Sequence, residues 1–412
     1  MNLIKAVDYI KTINAKDFLI KHYGYQFKKQ NNTYVSVCKF HDDSKPSLTY
    51  YENTNTLTCF VCGTVRGAGL IEFIAKEIRV VKYTDKQVKG DLFKDIVRLI
   101  CSMEGIRVED KKESPEVIKL RENTAKYQER YVSNLFKNEA ALNYLKEERK
   151  ISEETIKTFC LGFTDSQEFK FRSDFVNENG NYSGISSRIT FPIFERNLYN
   201  ARVAGFGYRS IDPNCKKEYR YLNDKENAIF QKGDLLYGLQ QAINYIKKTN
   251  QIIVVEGYMD VTSLHSAGLK NVVGLLNNNI TTSQADLIST LSKNCLLFLD
   301  NDNAGINGAK KAIIELVKRG VGVRVCNYTT GKDPGDLCLE CEGDRNKIVS
   351  KISASCKHGI KYLLDNSLDL YDNEMLRIRG NAISSCYDVL EVMADGPDKI
   401  NMESFIKQRL NL

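Results

Sequence analysis

The chain has 412 residues, 59 Lys/Arg against 52 Asp/Glu for a formal net charge of +7, and 42% hydrophobic residues. That length suits two to four domains with ordinary apolar cores. No run of about 18 apolar residues occurs, so no membrane span is expected.

The opening segment, MNLIKAVDYIKTINAKDFLIKHYG, lacks the shape of a signal peptide because lysines and aspartates interrupt every apolar run. It reads as an amphipathic helix instead. Twelve cysteines without a secretory signal point to a reducing, cytoplasmic setting, where grouped thiols indicate metal before disulfide. Residues 1–105 form the first expected domain. Cys38-x2-His41 and Cys59-x2-Cys62 are two ligand pairs seventeen residues apart, and SLTYY and TLTCF between them flank the turn ENTN as a β-hairpin. Two such pairs joined by strands describe a zinc ribbon, with four protein ligands closing a structural Zn²⁺ site. Tyr34, Tyr50, Tyr51 and Phe60, with Lys39 and Lys45 nearby, can stack on single-stranded bases or form the ribbon's own small core. Two helices, GLIEFIAKEI and DLFKDIVRLICSMEG, follow with apolar residues every three or four positions.

Residues 106–125 are charged, contain Pro115 and read as a linker. Residues 126–249 read first as helices, with Ser152-Glu153-Glu154-Thr155 as a helix start, and then as a β-rich basic subdomain. Residues 180–250 hold eleven Lys/Arg against six Asp/Glu, whereas 251–412 hold eighteen against twenty. The basic excess therefore precedes an acidic cluster, a distribution suited to a polyanion on one surface and a metal on another.

The acidic cluster lies in residues 250–342. Ile252–Val255 and Cys295–Leu299 are short apolar runs that end in acid, the first at Glu256 with Asp260 following, the second at Asp300 with Asp302 following. Such runs, alternating with helical patterns at Thr281–Leu291 and Gly305–Arg319, predict a parallel sheet with crossover helices. Ligands bind beyond the carboxyl ends of strands in such sheets, so the acids should converge. Clustered carboxylates are best tolerated around a hard cation. The segment TGKDPGDL adds Asp333 and Asp336 near the same edge. Residues 343–412 read as a helical bundle. Cys338-x2-Cys341 with Cys356 and His358 has poor spacing for a second zinc and reads as core or surface thiols; His22 and His265 read as structural. No G-x-x-x-x-G-K-[ST] motif is present, which excludes a P-loop motor. The fold class expected is thus multi-domain α+β: zinc ribbon, mixed basic subdomain, parallel α/β unit and helical bundle.

The segment CKFHDDSKPSL…LTCFVCG resembles the zinc ribbon of DnaG-type bacterial primases, and RITFPI, GFGYR, YRYLN, FQKGDLLYGL, EGYMD, DNDNAG and KDPGDL resemble the primase RNA polymerase core in order and spacing. EGYMD and DNDNAG alone would indicate only a TOPRIM domain, shared with topoisomerases and some nucleases. The resemblance implies template-directed synthesis of short RNA primers on single-stranded DNA from ribonucleoside triphosphates. It implies Mg²⁺ or Mn²⁺ on Glu256, Asp260, Asp300, Asp302 and Asp333, with Glu256, Asp300 and Asp302 at the chemistry. It places Arg149, Arg188, Arg209, Arg220 and Lys232 in the basic groove for nucleic acid and nucleotide. A replicative helicase is the family's partner, although no helicase-binding domain is expected here, and the compact form resembles primases of phages or mobile elements. Three departures stand out: Asp333-Pro-Gly335-Asp336 where the family has D-P-D, Gly69-Leu70 where it has Gly-Asp, and Arg220 where Lys is usual. The alternatives are a TOPRIM nuclease and a single-stranded-DNA-binding primase relic with dispensable acids.

Overall fold

The computed structural model describes residues 1–77, 90–106, 108, 113–165, 185–196, 202–277, 279–328, 333–371, 383–384, 386–387, 390–391, 393 and 397–410. These divide into two compact units, Met1–Glu116 and Val117–Leu412.

The first unit opens with α1 (Leu3–Thr12) and α2 (Ala15–Tyr23). Asn2 and Asn14 cap them, their side-chain oxygens accepting from Lys5 and Asp17 N–H, and α2 stops at left-handed Gly24. An antiparallel sheet follows in the order β1 (Lys28–Gln30), β2 (Thr33–Ser36), β3 (Leu48–Tyr51), β4 (Thr56–Cys59). The expected hairpin is therefore present. Its turn is fixed by Asn55, at φ +51°, whose side chain accepts from Ala15 N–H and Tyr50 Oη and donates to Ile13 O. Leu48, Tyr50 and Leu57 are buried, as are Phe73 and Ile74 of α3 (Leu70–Glu77). Tyr50 is thus core, and Lys16 Nζ lies 4.2 Å from the Tyr34 ring centroid; of the four aromatics considered for base stacking, Phe60 is the fully exposed one, at 71%. Helix α4 (Gly90–Met103) ends the unit's regular elements.

The linker expectation for 106–125 changes. Residues 107 and 109–112 lie outside the described residues, but α5 (Pro115–Lys137) begins at Pro115. Proline at the first helical position is pre-organised for a helix start, because its missing N–H has no intrahelical partner there.

The second unit continues with α6 (Glu139–Asn143), a π-turn at Tyr144–Glu148 and α7 (Glu153–Thr158), capped by Ser152 as expected. Its first sheet is antiparallel, in the order β5 (Gly162–Phe163), β6 (Arg188–Phe194), β7 (Val203–Ser210), β8 (Tyr221–Asn223). Helix α8 (Lys217–Arg220) precedes β8, and α9 (Leu239–Thr249) leads into the second sheet.

That sheet has the order β10 (Val272–Gly274), β9 (Ile252–Val255), β11 (Asn294–Leu297), β12 (Gly322–Cys326), β13 (Cys356–His358). The first four strands are parallel; β13 is antiparallel to β12. Every residue of central β9 is buried, which is why it reads as an unbroken apolar run. Helices α10 (Tyr258–Ser266), α11 (Thr282–Leu291) and α12 (Asn303–Lys318) connect the parallel strands. After β12 come α13 (Pro334–Glu340) and α14 (Arg345–Ser355), then β13 and α15 (Gly359–Tyr371). A further helix covers Pro397–Leu410. The purely helical expectation for 343–412 is therefore corrected: that segment supplies the sheet's edge strand.

The two sheets share one core. Phe191 of β6 stacks on Tyr258 of α10 at 5.1 Å between ring centroids, and Tyr237 meets Tyr258 edge-on at 5.0 Å. Gly205 and Gly207 of β7 make room for this: a Cβ on Gly205 would press to 2.9 Å from the Phe230 ring, and one on Gly207 would enter the Tyr258 ring. Buried His265 belongs to the same packing, edge-on to Phe159 at 4.8 Å with Nε2 3.2 Å from Val272 O.

Candidate active site

Both sites arise where backbone geometry forces polar groups together. In the first unit, ligand atoms of Cys38, His41, Cys59 and Cys62 all lie within 4.8 Å of one another. Cys38 Sγ and Cys62 Sγ are 3.9 Å apart. Zn–S bonds of about 2.3 Å in a tetrahedron place sulfurs about 3.8 Å apart, so the spacing fits Zn²⁺. Both His41 ring nitrogens are buried without a hydrogen-bond partner, a deficit that ligation of a metal by one of them relieves. Outside the quartet, Asp43 Oδ2 accepts from Cys38 N–H at 2.8 Å and from Ser47 Oγ at 2.6 Å, and Ser47 Oγ lies 3.4 Å from Cys59 Sγ. Asp43 thereby ties the two halves of the ligand set together.

In the second unit the acids fall at the carboxyl ends of the parallel strands. Glu256 follows β9, and its Oε1 accepts the Asp300 N–H at 3.1 Å across the β9–β11 pair. Asp302 caps α12, its Oδ1 accepting from Ala304 and Gly305 N–H, both at 2.9 Å. Asp260, in the first turn of α10, accepts from Gly257 N–H at 3.1 Å and from Gly335 N–H at 3.2 Å. Asp333 caps α13 and accepts the Asp336 N–H at 2.7 Å. The glycine that displaces the second acid of this motif therefore supplies a donor to Asp260. Among the described residues the carboxylates do not close into a compact set as the zinc quartet does. They form two linked groups, Glu256 with Asp300 and Asp260 with the Asp333–Asp336 turn.

Electrostatics couple these groups. Burial pushes the Glu256 carboxyl up to about 7, the Asp300 N–H opposing and the Asp302 and Asp260 charges adding. Burial, then Glu256 and Asp333, pushes Asp300 up to about 7. Burial, then Asp333 and Asp300, pushes Asp260 up to about 8. Asp333 is also raised, chiefly by burial, while the Arg149 charge opposes the rise. Asp300 Oδ1 is buried with no hydrogen-bond partner. An orphaned carboxylate oxygen among raised acids is the environment that a divalent cation relieves, so these donors fit a divalent metal ion.

Two of the five basic residues meet at one tyrosine. Arg149 Nε and Arg209 Nε both donate to Tyr144 Oη, at 2.9 and 2.5 Å. Arg209 is buried, also donates to Tyr221 Oη, and lies 4.8 Å from that ring's centroid. Arg188 is buried as well and donates to Arg220 O at 3.2 Å, while Arg220 donates to Cys215 O at 3.5 Å. Lys232 sits apart on a 3₁₀ turn, Lys232–Asp234, its backbone N–H donating to Glu226 Oε1. Sequence reasoning passed over Tyr144, Tyr221 and Tyr258, although YRYLN and EGYMD each hold one of them. It also passed over Gly305, where a Cβ would strike the Asp300 carbonyl and come within 2.9 Å of Glu256 Oε1. Cys338 and Cys341 are buried core thiols.

Three family models match the chain in order: the CHC2 zinc finger over residues 4–115, the N-terminal domain of the DNA primase catalytic core over 130–243, and the Toprim-like domain over 253–338. The chain belongs to the DnaG-type primases. Among its curated family members, the DNA primase of Synechococcus elongatus is 33% identical over 379 residues, 84% of this chain and 53% of that protein. The DNA primase of Rickettsia bellii is 33% identical over 331 residues, covering 75% and 52% respectively. The chain thus spans about half the length of the curated primases it matches. A crystal structure of a DNA primase domain from Pseudomonas aeruginosa is 25% identical with a TM-score of 0.59, covering 71% of this chain and 96% of that one. The Aquifex aeolicus primase, comprising zinc-binding and RNA polymerase domains, shares the fold over 99% of this chain and 97% of its own, with a TM-score of 0.58 and 24% identity. No helix among the described residues of this DnaG-type chain is long and apolar enough to cross a membrane.

Proposed function

We propose that this chain acts as a DNA primase, a nucleotidyltransferase that makes short RNA primers on single-stranded DNA from ribonucleoside triphosphates. The observation that carries the reading is the meeting of two unlike surfaces in one unit. Arg149 donates to Tyr144 alongside Arg209, and its charge also reaches Asp333 of the acidic edge. A polyanion held by the arginines would therefore present its reacting phosphate to the carboxylates.

In this reading the 3′-hydroxyl of one nucleotide attacks the α-phosphate of the next and pyrophosphate leaves. Glu256, Asp300 and Asp302 stand at the chemistry, with Asp260 and Asp333 completing the cation site. When bound, Mg²⁺ or Mn²⁺ supplies charge stabilisation at the attacking and leaving oxygens. Glu256 and Asp300, both raised to about 7, would hold a divalent cation in their deprotonated form. Arg149, Arg188, Arg209, Arg220 and Lys232 hold template, primer or triphosphate. The zinc ribbon, with Phe60 exposed at its knuckle, contacts the template strand.

Zinc-loaded protein with Mg²⁺ or Mn²⁺, ribonucleotides and varied single-stranded templates should yield oligoribonucleotides of a few to tens of units. Folded, zinc-bound protein that gives no product on any template with either metal would overturn the proposal. Metal-dependent cleavage of DNA without nucleotides would replace it with a nuclease.

A further inference from the structure

Two thiols face each other at the edge of the parallel sheet. Cys326 ends β12, Cys356 begins β13, and the antiparallel register sets them directly opposite. In the adjoining pair, Asn327 N–H donates to Ser355 O at 3.0 Å. Bonded and unbonded pairs alternate along an antiparallel ladder, so Cys326 and Cys356 occupy an unbonded pair, where opposing Cα atoms lie about 4.5 Å apart and side chains approach most closely. A disulfide spans Cα separations of about 4.4–6.8 Å, a range that takes in the spacing typical of such a pair.

Both thiols are free; Cys326 is buried and Cys356 is half-buried. A hydrogen bond from Cys326 lowers the Cys356 thiol to about 7, burial opposing and the Arg324 charge assisting. The half-buried sulfur is thus the more nucleophilic of the two at neutral pH. Neither sulfur has a role in the zinc quartet or the acidic edge. Yet Cys326 lines the same cavity as Asp300 and Gly305, and the chain between the two cysteines carries Asp333 and α13.

We infer that Cys326 and Cys356 form a dithiol modification site for low-molecular-weight disulfides, whose oxidised form staples β13 to β12 and closes the segment bearing Asp333 into a covalent loop. The chemistry is thiol–disulfide exchange. The Cys356 thiolate attacks one sulfur of the small disulfide; the first small thiolate leaves and takes up the proton that Cys356 lost. Cys326 Sγ then attacks the Cys356 sulfur, forming the Sγ–Sγ bond and expelling the second small thiol with the Cys326 proton. Two protein thiols are oxidised and one small disulfide is reduced to two thiols.

The full zinc-loaded chain, incubated with oxidised glutathione, alkylated and digested, should give a peptide linked through Cys326 and Cys356. Its intact mass should fall by two hydrogens. Its thermal midpoint should rise by roughly 5 °C, since a crosslink restricts the unfolded chain. Dithiothreitol should reverse all three. Cys356→Ser changes a half-buried residue outside the proposed metal and nucleic-acid residues; it should abolish the linked peptide and the thermal rise while leaving the reduced midpoint unchanged. A persistent glutathione adduct on Cys356 without the linked peptide would overturn the inference. So would linked peptides that join other cysteines first, or a thermal rise that survives in Cys356→Ser.

Discussion

Glu256 accepts the backbone N–H of Asp300, so the first acid of the site is held by the main chain of the second. This bond fixes the Glu256 carboxylate without neutralising it. Glu256→Gln keeps an oxygen acceptor for that N–H and removes only the charge. Primer synthesis should fall by on the order of 100-fold or more, since loss of several kcal/mol of transition-state stabilisation corresponds to at least that factor. The thermal midpoint without metal should hold or rise. Primer yield and melting curves on the same preparation check both.

The raised acids give the unit a pH dependence of definite sign. Folded Glu256 and Asp300 titrate near 7 and Asp260 near 8, against about 4 in an unfolded chain. The folded state therefore binds more protons between those values. The stability contributed by these three acids is fully present below pH about 4 and is lost as pH rises through 7 to 8. In chelator, this contribution should weaken from pH 6 to pH 8. Added Mg²⁺ should raise the melting temperature more at pH 8 than at pH 6. Thermal melts across that range, with and without Mg²⁺, decide it; equal Mg²⁺ shifts at both pH values would contradict the coupling.

Gly305 lies in the first turn of α12, against Asp300 and Glu256. Gly305→Ala puts a methyl group into the Asp300 carbonyl and against Glu256 Oε1. Overpacking of this kind costs about 1–3 kcal/mol. The expected result is a matching loss in urea unfolding together with weakened Mg²⁺ binding, because relief of the clash must displace one of the two acids.

Tyr144 is a shared acceptor for two cations. Tyr144→Phe removes the acceptor of Arg149 Nε and Arg209 Nε, and Arg209 is buried. A buried donor left unpaired costs about 1–3 kcal/mol. Single-stranded DNA binding should weaken while zinc content stays unchanged, as fluorescence anisotropy and metal analysis would show. Unchanged DNA affinity would make the tyrosine a packing residue only.

Cys59→Ser should strip the zinc and expose the ribbon. Four ligands close this site, and a sheet of this size relies on its metal for folding energy. Metal analysis should fall from one zinc per chain to near none, and limited proteolysis should cut first between Lys28 and Thr64. The second unit should keep its own melting transition.

Much of this architecture was legible in the sequence because its signals are local. Cys38, His41, Cys59 and Cys62 announce themselves by spacing, and Glu256 and Asp300 by following apolar runs that become β9 and β11. What stayed hidden depends on partners remote in sequence. Tyr144 reads as one aromatic in a helical pattern, and its role appears only when the π-turn brings it to Arg209, sixty-five positions on. Pro115 reads as a breaker and is a helix start, because proline serves both uses. Strand β13 is three residues between helices, without a β-branched residue, and only pairing with β12 makes it a strand.

That late strand carries a consequence for biosynthesis. As the chain leaves the ribosome, β12 emerges well before Cys356–His358, and until they arrive its outer row of backbone donors and acceptors is uncovered. Such a row can capture a strand from a neighbouring nascent chain. A truncation between Ser355 and Cys356 should therefore accumulate as aggregate rather than as a shorter folded chain, and slowed translation past Cys326 should raise the demand for chaperones.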